Sequence, residues 1–238
     1  MYHSLTIGNK NTYSDWYLVP DGRLFIAPPE VKTTFVDVPG VSGSLDLSQL
    51  LTNYPLYNNR EGDLSFHVLN EKPYSWIELY QEIANYLHGK RLKVVIEDDP
   101  DYYYEGILKL NAWTNNNDGT WSDITIGYIL DPYKYYKNDK TYQYTVSNSS
   151  KYLDFQDNSI GQMPVVPEIK VTSVSGSGLT VVANNVELGI SNLTKTITHT
   201  GTYKFYDIVL SKIASTNVST LSISGTGTFK VSFRKGEL

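Results

Sequence analysis

The sequence predicts a mainly-β fold with a single helix, divided into two domains, and three observations carry that prediction. Short runs of alternating apolar residues, bounded by Gly, Asn, Asp and Pro, recur along the whole chain. Only one stretch, at about 75–88, has helical spacing together with start and stop signals. The composition also changes along the chain. All 4 tryptophans and 17 of the 20 tyrosines precede residue 146, whereas 21 of the 68 residues from Val171 onward are Ser or Thr. Residues 146–168, which contain "MPVVP" near their end, are therefore expected to be a linker between an N-terminal domain (1–145) and a small C-terminal β-sandwich (169–238).

The helix is the best-marked element. In "KPYSWIELYQEIANYLHGK", Ser75 is the expected N-cap and Glu78 completes a capping box. Trp76, Leu79 or Tyr80, Ile83 and Leu87 form the apolar stripe. Gly89 is the expected left-handed residue after the end, with His88 and Lys90 placed to favour the negative end of the helix dipole. A meander follows. Leu92, Val94 and Ile96 alternate, and Asp99-Pro100-Asp101 supplies a type I turn. The return strand puts Tyr102, Tyr104, Leu108 and Leu110 on one face, and Tyr103, Glu105, Ile107 and Lys109 on the other. The third strand points Ile124, Ile126, Tyr128 and Leu130 inward. Pairing Thr114 with Thr120 would set Trp113 against Trp121 around the loop between them. In the C-terminal part a tight turn is expected at Asn184-Asn185. A second is expected at Gly225-Thr226-Gly227, dividing Leu221 and Ile223 from Phe229, Val231 and Phe233. A β-sandwich of roughly seven or eight short strands should result.

Composition excludes several functions. A net charge of −5 with no long basic run argues against a phosphate-binding surface. The absence of cysteine excludes disulfides, zinc–thiolate sites and thiol nucleophiles. No secretory signal or membrane-length apolar run is read, so a soluble protein made in a reducing compartment is expected.

Site motifs fail on spacing. Counted from Asp99, a calcium loop would need a glycine where Tyr104 stands and a glutamate where Leu110 stands. His3, His67, His88 and His199 are scattered without ligand spacing, and His67 reads as an ordinary half-buried strand residue. "PGVSGS" approaches a serine nucleophile elbow, but Ser44 occupies the place of its second glycine, so a turn is the better reading. No glycine-rich phosphate loop precedes a helix. No catalytic residue, cofactor or metal is assigned, and the chain is not expected to be an enzyme.

Four linked motifs, "VPGVSGSLDLSQLL", "YNNREGDLSFHV", "YLHGKRLKVVIEDDPDYYYEG" and "LDPYKYY", resemble in order and spacing the distal tail proteins of long, non-contractile-tailed phages and related prophages. The resemblance covers about residues 1–137, and the C-terminal half matches only through its β-rich, Ser/Thr-rich character and the ending "FKVSFRKGEL". It implies a virion structural protein at the tail tip, made in the bacterial host cytoplasm. The N-terminal domain would form a hexameric ring, and the C-terminal domain would be a galectin-like β-sandwich. The implied partners are the tail tube protein, the tail tip or tail-associated lysin protein, and a receptor-binding protein. DNA would pass through the ring without sequence-specific binding, and a net negative chain would not hold it. Tyr102, Tyr103, Tyr104, Trp113, Trp121, Tyr133, Tyr135 and Tyr136 are the candidate interface anchors. The alternative function is a carbohydrate-binding module contacting host cell-wall polysaccharide, with Tyr203 and Tyr206 as the candidate stacking rings.

Overall fold

Apolar alternation becomes strand nearly everywhere it occurs. The computed structural model describes residues 3–50, 52, 54–69, 75–115, 122–155, 160–186, 188–211 and 219–238, and these contain one helix. The elements in chain order begin with β1 (Leu5–Ile7), β2 (Lys10–Asn11), β3 (Leu18–Pro20), β4 (Phe35–Asp37), β5 (Ser44–Asp46) and β6 (Arg60–Val68). Then come α1 (Trp76–Leu87), β7 (Arg91–Ile96), β8 (Tyr102–Asn115), β9 (Ser122–Leu130) and β10 (Lys134–Tyr136). The remainder are β11 (Lys140–Asp154), β12 (Glu168–Asn185), β13 (Ile190–Ile197), β14 (Gly201–Lys204), β15 (Thr220–Phe233) and β16 (Gly236–Glu237). Two compact units emerge, Met1–Lys32 with Tyr57–Lys137, and Thr33–Leu56 with Asn138–Leu238.

The first unit is an antiparallel sheet in the order β2-β1-β7-β8-β9-β6-β3, with β10 added to the start of β8. One face is closed by α1. Ser75 and Glu78 form the expected capping box, and Leu79, Ile83 and Leu87 are fully buried. These three pack with Leu5, Ile7, Trp16, Leu108, Ile124 and Ile126 in one apolar core. The helix stops at His88, and Gly89 takes the left-handed conformation at φ +74°. The dipole reading holds in part. Lys90 Nζ donates to the Asn85 carbonyl in the last turn (2.7 Å). The His88 ring instead meets the Leu110 backbone N–H of β8 through Nδ1 (3.1 Å), so it is spent on the sheet and not on the last carbonyls of the helix. The 99–102 turn forms as expected, closed by the Tyr102 N–H to the Asp99 carbonyl. The pairing of Trp113 is different from expectation. A bulge between Leu110 and Ala112 sets Trp113 opposite Ile124 and Thr114 opposite Asp123. Trp121 and Thr120 lie outside the described residues. Trp113 packs instead against Trp76 and Tyr80 of the helix.

The second unit contains a sheet in the order β11-β15-β12-β13, with β14 also paired to β12. Its boundary differs from the one read in the sequence. The Ser- and Asn-rich first part of the stretch taken for a linker, residues 146–154, belongs to strand β11, which pairs with β15 from Lys140↔Phe233 to Asp154↔Thr220. The polar residues are its exposed face, and Asn148, at φ +46°, makes a bulge rather than a break. The many short strands expected here are a few long bent ones. Gly225-Thr226-Gly227 is no hairpin but the bend inside the continuous strand β15. Gly225 sits at φ +124°, and a Cβ there would lie 2.2 Å from the Gly178 carbonyl of β12. Residues from both sides of these bends, such as Val181 and Ile223 with Val171 and Phe229, share one core. Nor is Asn184-Asn185 the turn centre. Asn185 is buried, with its amide donating to the Val209 carbonyl and Ser211 Oγ, it pairs with Ile190 across the hairpin, and the Gly189 N–H meets the Val186 carbonyl beyond it. The same unit includes the hairpin β4–β5, paired Phe35↔Asp46, Val36↔Leu45 and Asp37↔Ser44.

Two outcomes follow from these contacts. Ser75→Ala, which removes the cap acceptor, is expected to lower stability by about 1 kcal/mol in urea unfolding, while Ser75→Asp keeps nearly all of it. Gly225→Val places atoms into the Gly178 backbone and should abolish folding of the second unit, read as loss of its core amide protection in hydrogen exchange.

Candidate interaction surfaces

Most of the aromatic residues read as interface anchors are engaged inside the first unit. β10 runs beside the start of β8 with Tyr135 opposite Tyr103 and Tyr136 opposite Tyr102. The rings meet across the pair at 5.5 Å and 5.4 Å. Lys93 caps the Tyr103 ring at 4.5 Å and Lys134 the Tyr102 ring at 4.6 Å. Tyr103 and Tyr104 are buried, Tyr104 beneath the guanidinium of Arg60. Tyr133 stands edge-on to Tyr57 at 5.8 Å. Tyr102, Trp113, Tyr133, Tyr135 and Tyr136 keep part of their surface exposed.

The charged residues of the same region serve the same closure. Asp99 at the turn pairs with Lys134 (2.7 Å). Arg91, at the start of β7, bridges Glu105 of β8 and Asp131 just beyond β9, and the Tyr135 hydroxyl donates to Asp131 (3.0 Å). Burial, reinforced by the Asp131 carboxylate, pushes the Tyr135 phenol well above its ordinary value. His67 is more than a half-buried strand residue, since Asp123 lies 2.5 Å from Nδ1 and Asp21 3.4 Å from Nε2. Among the described residues no group of three or more His, Asp or Glu side chains is arranged to hold a metal ion. Ser44 Oγ donates to Asp37 across β4–β5 (2.5 Å), which assigns the elbow-like motif to a hairpin end.

A different segment presents apolar surface outward. From Val31 to Leu50 no residue is buried, and Phe35, Val36, Val38, Val41, Leu45 and Leu50 are 59%, 43%, 40%, 64%, 55% and 68% exposed. A two-stranded ribbon of this length is marginal in water by itself. One of its faces carries Val36 opposite Leu45, the other sets Phe35 beside Asp37, Ser44 and Asp46, and the apolar side chains of both are open to solvent. The sequence reading passed over this surface because Pro39-Gly40 drew attention only to the turn. The available signal was the succession Phe35, Val36, Val38 and Val41, in which adjacent apolar residues place an apolar side chain on each side of the strand. On the second unit, Tyr203 stacks on Phe205 and donates to the His199 carbonyl, whereas Tyr206 is 78% exposed.

Because the Tyr135 phenol resists ionisation in the fold, stability should decline with rising pH. The unfolded chain begins to lose this proton near the ordinary tyrosine value of about 10, while the folded chain retains it. Tyr135→Phe removes that term, so urea midpoints of the variant should fall less between pH 9 and pH 11 than those of the native chain.

No family model matches this chain, and no curated protein matches it. Among solved structures it resembles the Dit protein (gp 19.1) of phage SPP1, whose crystal structure is described as a paradigm of the hub adsorption apparatus in phages infecting Gram-positive bacteria. The match covers 100% of both chains with a TM-score of 0.61 and 16% identity, so this chain has the SPP1 Dit fold from end to end.

Proposed function

We propose that this chain is a structural hub subunit at the distal end of a phage tail, and that copies of it close into a ring through the Val31–Leu50 segment. The observation that carries the reading is the exposed apolar hairpin, set on a chain with the full-length fold of a phage hub protein. A neighbouring copy would cover Phe35, Val41 and Leu45, since a head-to-tail contact between an arm and a different surface closes into a ring when the rotation allows it. Six copies are the expected number from the resemblance of the N-terminal motifs. The tail tube protein would stack on one side of the ring, with the tip or lysin protein and receptor-binding proteins on the other. The partly exposed rings of Tyr102, Tyr133 and Tyr136 are suited to the rim of such contacts. The role is structural rather than catalytic, and the place of action is the virion tail tip.

Light scattering of the purified chain, alone and mixed with its tail tube protein, tests this. The native chain should form a discrete oligomer in at least one of these conditions. The triple variant Phe35→Ser, Val41→Ser, Leu45→Ser should remain monomeric in both, with an unchanged melting temperature, because those side chains are exposed in the monomer. An oligomer unaffected by the triple substitution, or a native chain that stays monomeric in both conditions, would remove the support for the hairpin as the ring contact.

A further inference from the structure

Among the described residues Arg60 is the one charged side chain that is buried. It opens β6 with only 4% of its surface exposed. Its Nε donates to the Pro132 carbonyl (2.9 Å) and its Nη1 to the Ala27 carbonyl (2.7 Å). The guanidinium lies 5.4 Å from the centre of the Tyr104 ring. Nη2 is buried and has no hydrogen-bond partner among the described residues. Burial disfavours the charge, and the groups that oppose this effect are the phenols of Tyr104 and Tyr128, not a carboxylate. A buried cation is ordinarily paired, because removing it from water is costly and an uncompensated one is strongly destabilising.

The same residue lines a cavity of 610 Å³ in the first unit. The other walls include Ala27, Pro28, Lys32, Asn58 and two acids, Glu30 and Glu61. Neither acid serves Arg60. Glu61 is the next residue along β6 and projects from the opposite face of the strand, and Glu30 is exposed. The surrounding loop is held by the Asn58 N–H to the Glu30 carbonyl (2.8 Å) and by the Val31–Tyr57 bridge.

We propose that this cavity is a carboxylate site, in which one monoanionic carboxylate pairs with Nη2 of Arg60. Two backbone carbonyls fix the guanidinium and leave one nitrogen to be matched, which suits a single carboxylate oxygen. Lys32 and Arg60 against Glu30 and Glu61 make the ionisable lining neutral overall, so a dianion such as phosphate would be opposed by the two acids. Nη2 is closed to water in the free chain, so the occupant enters by displacing part of the lining, and uptake should be slow. Two sources supply this chemistry, namely a free small carboxylate and an Asp or Glu side chain from a neighbouring copy. The site itself stands without the ring reading, and only the second source rests on it.

The test follows the Arg60 Nε–Hε resonance of the full chain, assigned by its loss in Arg60→Lys. Acetate added to dilute monomer, with chloride at equal ionic strength as the control, should shift this resonance saturably, while inorganic phosphate should not. Samples concentrated or assembled without added carboxylate form the second arm. A shift to the acetate-bound position on assembly identifies a neighbour's acidic side chain as the source. An acetate response with no change on assembly identifies a free carboxylate, and acetate binding by a chain that never assembles supports the site while removing the ring. If neither acetate nor assembly moves the resonance, or if chloride moves it equally, the proposal is overturned. The native chain carries the whole comparison if Arg60→Lys fails to fold, because the resonance can then be assigned through the backbone.

Discussion

The first unit depends on a seam where the helix ends and the sheet begins. Two backbone hydrogen bonds and one to a side chain stitch residues 88–90 to β8. The Gly89 N–H meets the Leu108 carbonyl at 2.8 Å, and the Leu108 N–H meets the Lys90 carbonyl at 3.1 Å. The Leu110 N–H closes on the His88 ring. A helix end otherwise leaves carbonyls to be satisfied, and here the chain that leaves it proceeds directly into β7 along the same edge of β8. Gly89 makes the change of direction feasible, since it takes a left-handed turn that costs other residues more. The seam sets the helix over the sheet so that Leu79, Ile83 and Leu87 meet Leu108, Ile124 and Ile126. It also fixes β8, on which the tyrosine pairs with β10 are built.

The elements read correctly from the sequence were those in which several local signals agreed. Ser75, Glu78 and Gly89 mark a helix through side-chain and backbone chemistry that no distant contact has to supply. The inward row Ile124, Ile126, Tyr128 and Leu130 is likewise legible, because a strand covered on one face shows its period directly. Reading failed where one signal admits two structures. A glycine pair within an alternating run can turn a hairpin or bend a continuous strand, and Gly225 does the second because Gly178 of β12 lies against it. Ser and Asn in "TVSNSSKY" have the composition of a linker but form the solvent face of β11.

The interaction surfaces were less legible for a different reason. Tyrosine abundance shows that aromatic surface is needed but not where it is spent, and much of it is spent inside the subunit, on Tyr103 against Tyr135 and on Trp113 against the helix. The exposed Val31–Leu50 segment has ordinary composition for a strand pair. It becomes distinctive only when solvent is found on both of its faces. Arg60 is similarly silent in sequence, since "NNREG" reads as a polar strand start and burial of the guanidinium depends on Ala27 and Pro132 arriving from elsewhere in the chain.

A subunit that closes its aromatic residues inward and presents one apolar arm outward is suited to assembly by arm exchange between copies. The fold shared along its whole length with a phage hub protein is what supports the proposed place of such an assembly in a virion. The most direct measurement is electron microscopy of the chain assembled with its tail tube protein, with class averages computed without imposed symmetry. The account predicts closed six-fold rings in which density for the 33–50 arm continues into the adjacent subunit. Single particles, open filaments, or rings whose arms project into solvent without touching a neighbour would contradict it.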